Sequence, residues 1–411
     1  MIYLFIFVLI LFFSYKYDYL EKKGRPEYLK IRKQNERASY LLLLLILVLV
    51  SGFRYRIGVD TIRYEITFSR IQPIQNYSFG DLFSSSYEPL YFLLASVAKS
   101  ISSEFWVLQL LQSLLVNTII FRFIWKNINN IFTGVLIYYI FLFIPFTCEV
   151  MREACAVSMI ILGWEFLKND KWIPFTLFVI LALGFHISAL PLLVIPLLKV
   201  LGVWKRMRIN SFTPVILIIC CFAGYIVNRV FYDYIILFNI TENLNSKATS
   251  YMEEAEGGIG LNLGGMLSKL FQYALFVYIS IRHFKFTGRN VPNNLEPLLL
   301  LCLIFQFLSF SISMLYRYNN YFMPFTLICI ADMFYDRRLV LAKKIKVAIA
   351  GFIIWFVIYS PAVFFNWYGL TESVHGTQYR NYMCYYPYSS IFTKEKNLDR
   401  ERLFLLYDYD E

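Results

Sequence analysis

Long apolar segments recur along almost the whole chain, and they restrict the fold more than any other feature of the sequence. Runs of roughly 15 to 21 apolar residues alternate with short polar turns. Of the 411 residues, 58% are hydrophobic and 16% are charged, with a mean hydropathy of +0.55. In a bilayer every backbone polar group has to be hydrogen bonded within the protein, and helices achieve this within each run. The sequence therefore predicts an all-α, polytopic integral membrane protein.

Basic residues lie mainly between the apolar runs. A formal net charge of +11 would suggest a nucleic-acid partner in a soluble chain. Here we interpret the basic residues as topology signals, because positive loops stay in the cytoplasm. The loop 16–37 contains eight Lys or Arg, so we expect it to be cytoplasmic and the N-terminus to be outside. We expect no nucleic-acid partner.

The apolar runs, counted so that the basic turns between them stay in the cytoplasm, predict about twelve transmembrane crossings. The run 88–100 is short, and counting it as a crossing would carry the following basic clusters to the outside, so we interpret it as re-entrant or interfacial. We expect one transmembrane domain, 1–365, with outer loops at about 54–104 and 231–265, and an extracytoplasmic tail, 366–411. The expected spans lie near 2–15, 38–53, 105–125, 131–147, 149–167, 172–185, 187–201, 212–230, 266–284, 295–315, 318–335 and 346–365.

Common catalytic and metal-binding signatures do not occur in the sequence. The seven cysteines lie mostly in apolar runs without C-x-x-C spacing, which predicts neither a disulfide nor a zinc site. There are three histidines, and no H-E-x-x-H, P-loop or dinucleotide-binding motif is present. We therefore expect no metal and no cofactor. The first apolar run lacks the basic start and the small-residue cleavage site of a signal peptide, so we expect it to remain in the protein.

The segment Ser51 to Glu65 follows directly on an apolar run and carries the strongest polar pattern. Charge at the end of a membrane helix is costly unless it is paired, solvated or functional. Gly58 frees the backbone before a restarting helix, which would place Asp60, Thr61 and Tyr64 on one face. The pattern indicates a shaped polar site on the outer side, although arginines and tyrosines of an interfacial anchor would look similar. Four charged residues lie within ten positions of this segment, namely Arg54, Arg56, Asp60 and Arg63.

A second charged group stands at the outer start of the span 149–167. Glu149, Arg152 and Glu153 are spaced i, i+3 and i+4, so we expect Glu149 to reach both others on one helical face. An arginine inside a membrane helix is a functional candidate by default. A self-contained ion-pair cluster that holds helices together is the alternative.

His186 and Ser188 lie at a predicted outer turn, in the sequence GFHISAL. An imidazole there could face a cavity and exchange protons near neutral pH. A lone histidine that only packs between helices is the alternative. Its predicted location on the same side as the charged segments favours a functional role.

Arg317 begins the span 318–335 in the sequence YRYNNYF, with tyrosines on both sides and Tyr321 one turn later. A guanidinium flanked by phenols is suited to clamp a phosphate and to stack on sugar rings. An aromatic-belt anchor at the interface is the alternative. Together, the charged segments predict an outward-facing arginine pocket that suits an anionic, phosphate-bearing lipid with sugars attached.

The order of these motifs resembles the EpsG/Wzy-like family of bacterial polysaccharide (capsule, exopolysaccharide or O-antigen) polymerases. The similarity spans nearly the whole chain, although each motif is short. The motifs are R-x-G-x-D-T-x-x-Y (Arg56 to Tyr64), E-P-x-Y (Glu88 to Tyr91), Arg152 at the start of a span, H-x-S-A (His186 to Ala189), R-x-x-x-Y-F (Arg317 to Phe322) and P-Y-x-S-I-F (Pro387 to Phe392).

The resemblance implies a membrane glycosyltransferase on the outer face of the cytoplasmic membrane. The arginines could take the place of a metal, so we expect the transfer to be metal-independent. Its substrate would be a polyisoprenyl-diphosphate-linked oligosaccharide such as an undecaprenyl diphosphate derivative, within membrane lipids, and a flippase and a chain-length regulator of the same pathway would be partners. For this reaction Asp60 or His186 would be the base, Glu149 would orient Arg152, and Glu88 would position the acceptor. The residues expected to bind the substrate diphosphate are Arg54, Arg56, Arg152 and Arg317, with Thr61, Tyr64, Ser188 and Tyr321 beside them.

Other functions predict different patterns. A lipid-linked glycan ligase would use the same diphosphate site with a different acceptor. A flippase would need ionisable residues through the membrane midplane, whereas here they gather at one predicted edge. A purely structural subunit would not depend on the outer arginines.

Overall fold

The computed structural model describes residues 2–20, 26–224, 294–333 and 381–401, with short gaps at 59, 79, 81–86, 211, 214, 221, 310–312 and 399. Helices account for all the regular elements in these ranges. The extended backbone pairing among them is a single antiparallel bridge between Arg54 and Ser390. The all-α architecture and the apolar helices are those of a membrane protein, as predicted.

The α-helices in the described ranges are named here in chain order. A π-helical turn, Ser14–Tyr19, extends the first helix, and two more, Tyr139–Phe143 and Pro145–Glu149, follow the sixth. The helices are α1 Ile2–Phe13, α2 Pro26–Gly52, α3 Thr61–Arg70, α4 Pro89–Ile101, α5 Trp106–Asn127, α6 Ile131–Tyr138, α7 Met151–Leu167, α8 Trp172–Phe185, α9 Val194–Val200, α10 Leu295–Leu308 and α11 Asn319–Met333.

Three helical segments in the described residues are long and apolar enough to cross a bilayer. They are Ile2–Tyr19, Leu29–Gly52 and Trp106–Asn127, with 18, 24 and 22 residues. At about 1.5 Å per residue each covers roughly 27 Å or more, close to the apolar thickness of a membrane. By the same measure the 13 residues of α4 cover only about 20 Å. A re-entrant or interfacial position for this helix fits its length.

The second helix begins earlier than the predicted span 38–53. Proline is well suited to a first helical position, and α2 starts at Pro26. The added turns contain charged residues with high helix propensity, which apolar periodicity does not detect. Arg32 donates from Nη2 to the carbonyls of Lys16 (3.0 Å) and Leu20 (2.9 Å). These bonds satisfy carbonyl groups at the end of the preceding helical segment.

Helices α2 and α5 pack closely against each other. The Tyr40 hydroxyl donates to the carbonyl of Phe121 at 2.7 Å, and its ring packs 4.9 Å from the Phe121 ring, centroid to centroid. At the other end, a Cβ on Gly52 would lie 3.0 Å from the Leu110 Cα, so the missing side chain allows the helices to approach closely.

A chain of buried polar side chains connects α2, α5 and α6. Ser51 and Ser113 are hydrogen bonded through their hydroxyls. Asn117 donates to the Ser113 hydroxyl at 3.1 Å and accepts from the Tyr138 hydroxyl at 2.9 Å. Hydrogen bonds of this kind hold membrane helices together where the hydrophobic effect cannot, because lipid is as apolar as the helix faces.

The described residues divide into two compact units. The first contains residues 1–164, 177–190 and 330–411, and the second contains 165–176 and 191–329. Within the second unit, Asn294 accepts from Lys199 Nζ (2.7 Å) and Trp204 Nε1 (2.8 Å) and donates to the Leu167 carbonyl (2.6 Å). This amide ties the polar ends of three segments together. The predicted span near 212–230 is described only to residue 224, and those near 266–284 and 346–365 lie outside the described residues.

Candidate functional site

The loop between α2 and α3 has a backbone that few side chains tolerate. Arg56 adopts φ 48° and Gly58 adopts φ 105°. A Cβ at Gly58 would lie 2.8 Å from the Cys148 carbonyl oxygen and 2.9 Å from Glu149 Oε1. Glycine is therefore required here both for its conformation and for the space, and the loop lies directly against the end of the π-helical turn Pro145–Glu149.

Asp60 and Thr61 begin α3 at this loop. The Asp60 backbone N–H donates to Glu149 Oε2 at 3.4 Å, and the Asp60 side chain is exposed. Thr61 is buried, and its hydroxyl donates to the carbonyls of Ile57 (2.5 Å) and Cys148 (3.2 Å). Thr61 thus anchors the helix start, while the Asp60 carboxylate remains at the surface.

Arg152, near the start of α7, lies at the centre of the candidate site. Its Nη1 donates to Glu88 Oε2 at 3.0 Å, and its guanidinium lies 5.1 Å from the centroid of the Tyr87 ring. The Tyr64 phenol is near enough to interact with it electrostatically. Its buried Nε has no hydrogen-bond partner among the described residues. A carboxylate and an aromatic face therefore fix this guanidinium in one orientation.

The expected helical face shared by Glu149 and Arg152 is not formed. Val150 adopts φ −92° and ψ 52°, which ends the π-helical turn at Glu149 before α7 begins at Met151. Helical spacing therefore does not relate these two residues. Arg152 forms an ion pair with Glu88, 64 positions earlier, while Glu149 accepts from the backbone N–H of Asp60.

Glu88 also connects the histidine motif to this cluster. Its Oε1 accepts from the backbone N–H of Ile187 at 3.2 Å. The Ser188 N–H donates to His186 Nδ1 at 3.1 Å, and the Ser188 hydroxyl lies 2.6 Å from the same nitrogen. Since an N–H can only donate, Nδ1 is an acceptor, and the neutral imidazole carries its proton on Nε2. In this arrangement Nε2 is a donor and not a base.

Electrostatics keep the tyrosines of the cluster neutral. Desolvation raises the pKa of Tyr64 above its ordinary value, and the nearby Arg152 only partly opposes this shift. Desolvation likewise raises the pKa of Tyr87. Both phenols therefore keep their protons at neutral pH and remain available as hydrogen-bond donors.

The two arginines of the loop do not resemble Arg152 in their surroundings. Arg54 is 1% exposed, donates to the Ser51 carbonyl and lies with Nη2 3.4 Å from Met151 Sδ. Arg56 binds two carboxylates, Glu65 through Nε at 3.0 Å and Glu401 through Nη1 at 2.8 Å. Sequence spacing predicts equal roles for these arginines, but their partners differ.

Arg317 and Tyr321 belong to the second unit. Arg317 lies in the 3₁₀ segment Ser313–Tyr318, directly before α11. Tyr321 is fully buried, and the ring of Phe305 packs 5.7 Å from that of Phe322 beside it. The other predicted site residues belong to the first unit.

Sequence reasoning missed several residues that contact the cluster. Tyr87 forms the aromatic face under Arg152 and stacks edge-on with Tyr91 at 5.3 Å. The Tyr91 hydroxyl is buried without a hydrogen-bond partner among the described residues. Tyr87 directly precedes the E-P-x-Y motif and Tyr91 is its last residue, so the motif was the available signal. The segment 383–401 also contacts the loop through backbone hydrogen bonds.

Metal ligands are scarce in the part of the chain that the structure describes. No group of three or more His, Cys, Asp or Glu side chains lies close enough together there to hold a metal ion. The site in these ranges consists instead of guanidinium, carboxylate and phenol groups.

A comparison with models of protein families finds a match over most of the chain. The model of the EpsG family matches residues 37–390, which is most of the chain. The chain belongs to the EpsG family. In this EpsG family member the matched region includes the loop, Glu88, Arg152 and His186, and it ends inside the P-Y-x-S-I-F motif. No curated protein and no solved structure matches the chain.

The close contact at Gly58 predicts an unequal effect of two glycine substitutions. Gly202 also has a positive φ of 69°, but nothing lies within 4 Å of a Cβ there. Gly58→Ala and Gly202→Ala share a conformational cost of about 1 to 2 kcal/mol. Gly58→Ala has a further overpacking cost of about 1 to 3 kcal/mol. We expect a lower apparent melting temperature in detergent for Gly58→Ala, and equal melting temperatures would contradict this geometry.

Proposed function

We propose that this protein is a polymerase that joins polyisoprenyl-diphosphate-linked oligosaccharide repeat units into a surface polysaccharide. Membership of the EpsG family supports polysaccharide biosynthesis at a membrane. The observation that carries the proposal is the fixed guanidinium of Arg152, because expulsion of a lipid diphosphate needs a cationic group positioned in advance.

In the proposed reaction the acceptor sugar hydroxyl attacks the anomeric carbon of the donor glycan. The bond from that carbon to the diphosphate oxygen breaks, and its electron pair leaves with the diphosphate. Arg152 stabilises the charge that develops on this oxygen, and the neutral phenol of Tyr64 adds a donor. Glu88 positions Arg152 and therefore acts through it.

Asp60 is the proposed base that takes the proton of the acceptor hydroxyl. Its carboxylate is exposed, and both Asp60 and Arg152 act electrostatically on the Tyr64 phenol, so the base and the cation are close to one residue. His186 is less suited to this role, because its Nδ1 already accepts from the Ser188 N–H. We propose that His186 and Ser188 hold the turn that Glu88 binds.

The proposed orientation places this site on the outer face of the bacterial cytoplasmic membrane, with about twelve crossings and both termini outside. The transmembrane domain 1–365 and the tail 366–411 belong to this proposal, as do a flippase and a chain-length regulator as partners. Arg317 and Tyr321 remain proposed donor-binding residues on the basis of their motif.

Polymerase and ligase differ in the acceptor, which gives the main test of the proposed function. A deletion strain should accumulate single repeat units on lipid and lack a long-chain ladder on a gel. Purified protein in lipid, supplied only with lipid-linked repeat units, should build that ladder. A strain that still makes full-length polymer on the carrier but fails to attach it elsewhere would identify a ligase instead.

Substitutions at Arg152 test the proposed role of its guanidinium. Arg152→Lys keeps a positive charge beside Glu88 but loses the planar fork, so we expect at least a hundredfold lower kcat with nearly normal membrane abundance. Arg122→Lys makes the same change at an exposed arginine of α5 and should leave kcat unchanged. Equal activity of the two variants in the reconstituted assay would show that the fork is not needed.

The use of guanidinium in place of a metal predicts resistance to chelation. Ladder formation by the purified protein should continue in EDTA, because Arg152 supplies the positive charge at the leaving group. Loss of activity in EDTA that returns on adding back a divalent cation would contradict metal-independent transfer.

A further inference from the structure

The segment 383–401 pairs with the loop backbone over several residues. The Tyr55 N–H donates to the Ser389 carbonyl at 2.9 Å, and the Ile391 N–H donates to the Phe53 carbonyl at 2.9 Å. Farther along the loop, the Gly58 N–H donates to the Cys384 carbonyl at 3.0 Å. Three peptide groups at the end of α2 and in the loop are therefore satisfied by a segment that lies more than 300 positions later in the chain.

Arg400 binds both the loop and the C-terminal segment. It is 3% exposed, and its guanidinium donates to three carbonyl oxygens. Nε reaches Met383 (3.2 Å), Nη2 reaches Pro387 (2.6 Å), and Nη1 reaches Arg56 (3.2 Å). Two of these carbonyls belong to the C-terminal segment and one to the loop, so one planar fork holds both. An ammonium group is a point donor and cannot reproduce this spread.

The Glu401 carboxylate binds the side chain of Arg56, the loop residue whose carbonyl accepts from Arg400. Arg56 has a left-handed backbone, which is unfavourable for a residue with a Cβ. Its guanidinium lies between the carboxylates of Glu65 and Glu401, so the group of three carries a net negative charge. A further anion, such as a substrate diphosphate, would be repelled by these two carboxylates. Arg152, by contrast, forms an ion pair with Glu88 and lies over the Tyr87 ring.

We propose that Arg400 and Glu401 form a clasp that positions the loop 54–60, and that Arg56 serves this clasp instead of binding a substrate phosphate. The family match ends at residue 390, ten positions before Arg400, so the clasp lies outside the matched region. Arg400, Glu401 and Arg56 are positioning residues. Their effect on catalysis rests on the proposed function, because the loop carries Asp60.

The native thiol of Cys384 reports on the clasp without any introduced probe. Cys384 is 2% exposed and packs with Ile57, Cys148 and Tyr385. Burial raises the pKa of the Cys384 thiol to about 12. Thiolate is the reactive form, so Cys384 should react slowly with a thiol reagent while the clasp is closed.

The first experiment measures the modification rate of Cys384 in purified full-length protein, with the modified peptide identified by mass spectrometry. Near neutral pH, Arg400→Lys and Arg400→Gln should speed modification by at least about tenfold, since an open clasp exposes the thiol and restores a lower pKa. Glu401→Ala should act in the same direction. Lys396→Gln and Glu395→Ala are controls at exposed positions of the same segment and should keep the wild-type rate. A wild-type rate in the Arg400 variants would overturn the clasp.

The second experiment separates positioning from substrate binding by steady-state kinetics with lipid-linked repeat units. Arg400→Lys should lower kcat about tenfold or more while KM changes less than about threefold, because the loop and its base shift but the Arg152 site remains. Glu401→Gln keeps the acceptor oxygen and should retain more activity than Glu401→Ala. Arg56→Gln should likewise reduce kcat. A tenfold rise in KM for Arg56→Gln with unchanged Cys384 labelling would make Arg56 a substrate ligand and overturn its assignment.

The two experiments fail independently. If the purified wild-type protein builds no ladder but Cys384 labelling responds to the Arg400 variants, the proposed polymerase function is wrong and the clasp stands. If the ladder forms normally in every clasp variant, the clasp has no positioning role in the reaction.

Discussion

The ion pair between Arg152 and Glu88 is the interaction on which the candidate site depends. A guanidinium near the start of an apolar helix loses much of its hydration, and this cost has to be offset by a partner. Glu88 supplies that partner at 3.0 Å and uses its second oxygen to bind the backbone of Ile187. One carboxylate therefore joins the starts of α4 and α7 to the turn after α8. The three segments cannot move apart without leaving a desolvated charge.

The arginines of the site divide into different roles because their partners differ. Arg54 is buried against the end of α2 and Met151, which suits a structural contact. Arg56 is already bound by two carboxylates. Arg152 is held by the carboxylate of Glu88 and lies over the aromatic ring of Tyr87. The number of arginines in a sequence is therefore a weaker guide to anion binding than the charge that surrounds each arginine in the fold.

Local features of the fold were predictable, whereas distant pairings were not. Apolar run length located the helix α8 at the bounds 172–185, because the run itself defines the helix. The start of α2 was misplaced by twelve residues because charged residues continue the helix beyond the apolar run. The partner of Arg152 was assigned to Glu149 by helical spacing, and the non-helical Val150 makes that spacing meaningless. Glu88 was recognisable as part of a motif, but no periodicity relates it to Arg152.

The separation of 344 positions between Arg56 and Arg400 has a consequence for how the protein is made. Ribosomes add about 5 to 20 residues per second, so the loop emerges roughly 20 to 70 seconds before the arginine that fastens it. During this interval the loop peptides near Gly58 have to be solvated by water or lipid headgroups. A chain that stalls or is cut before residue 400 would carry Arg152 and Glu88 but not a completed loop. Completion of the loop is thus coupled to the synthesis of residue 400, whatever the order in which the helices insert.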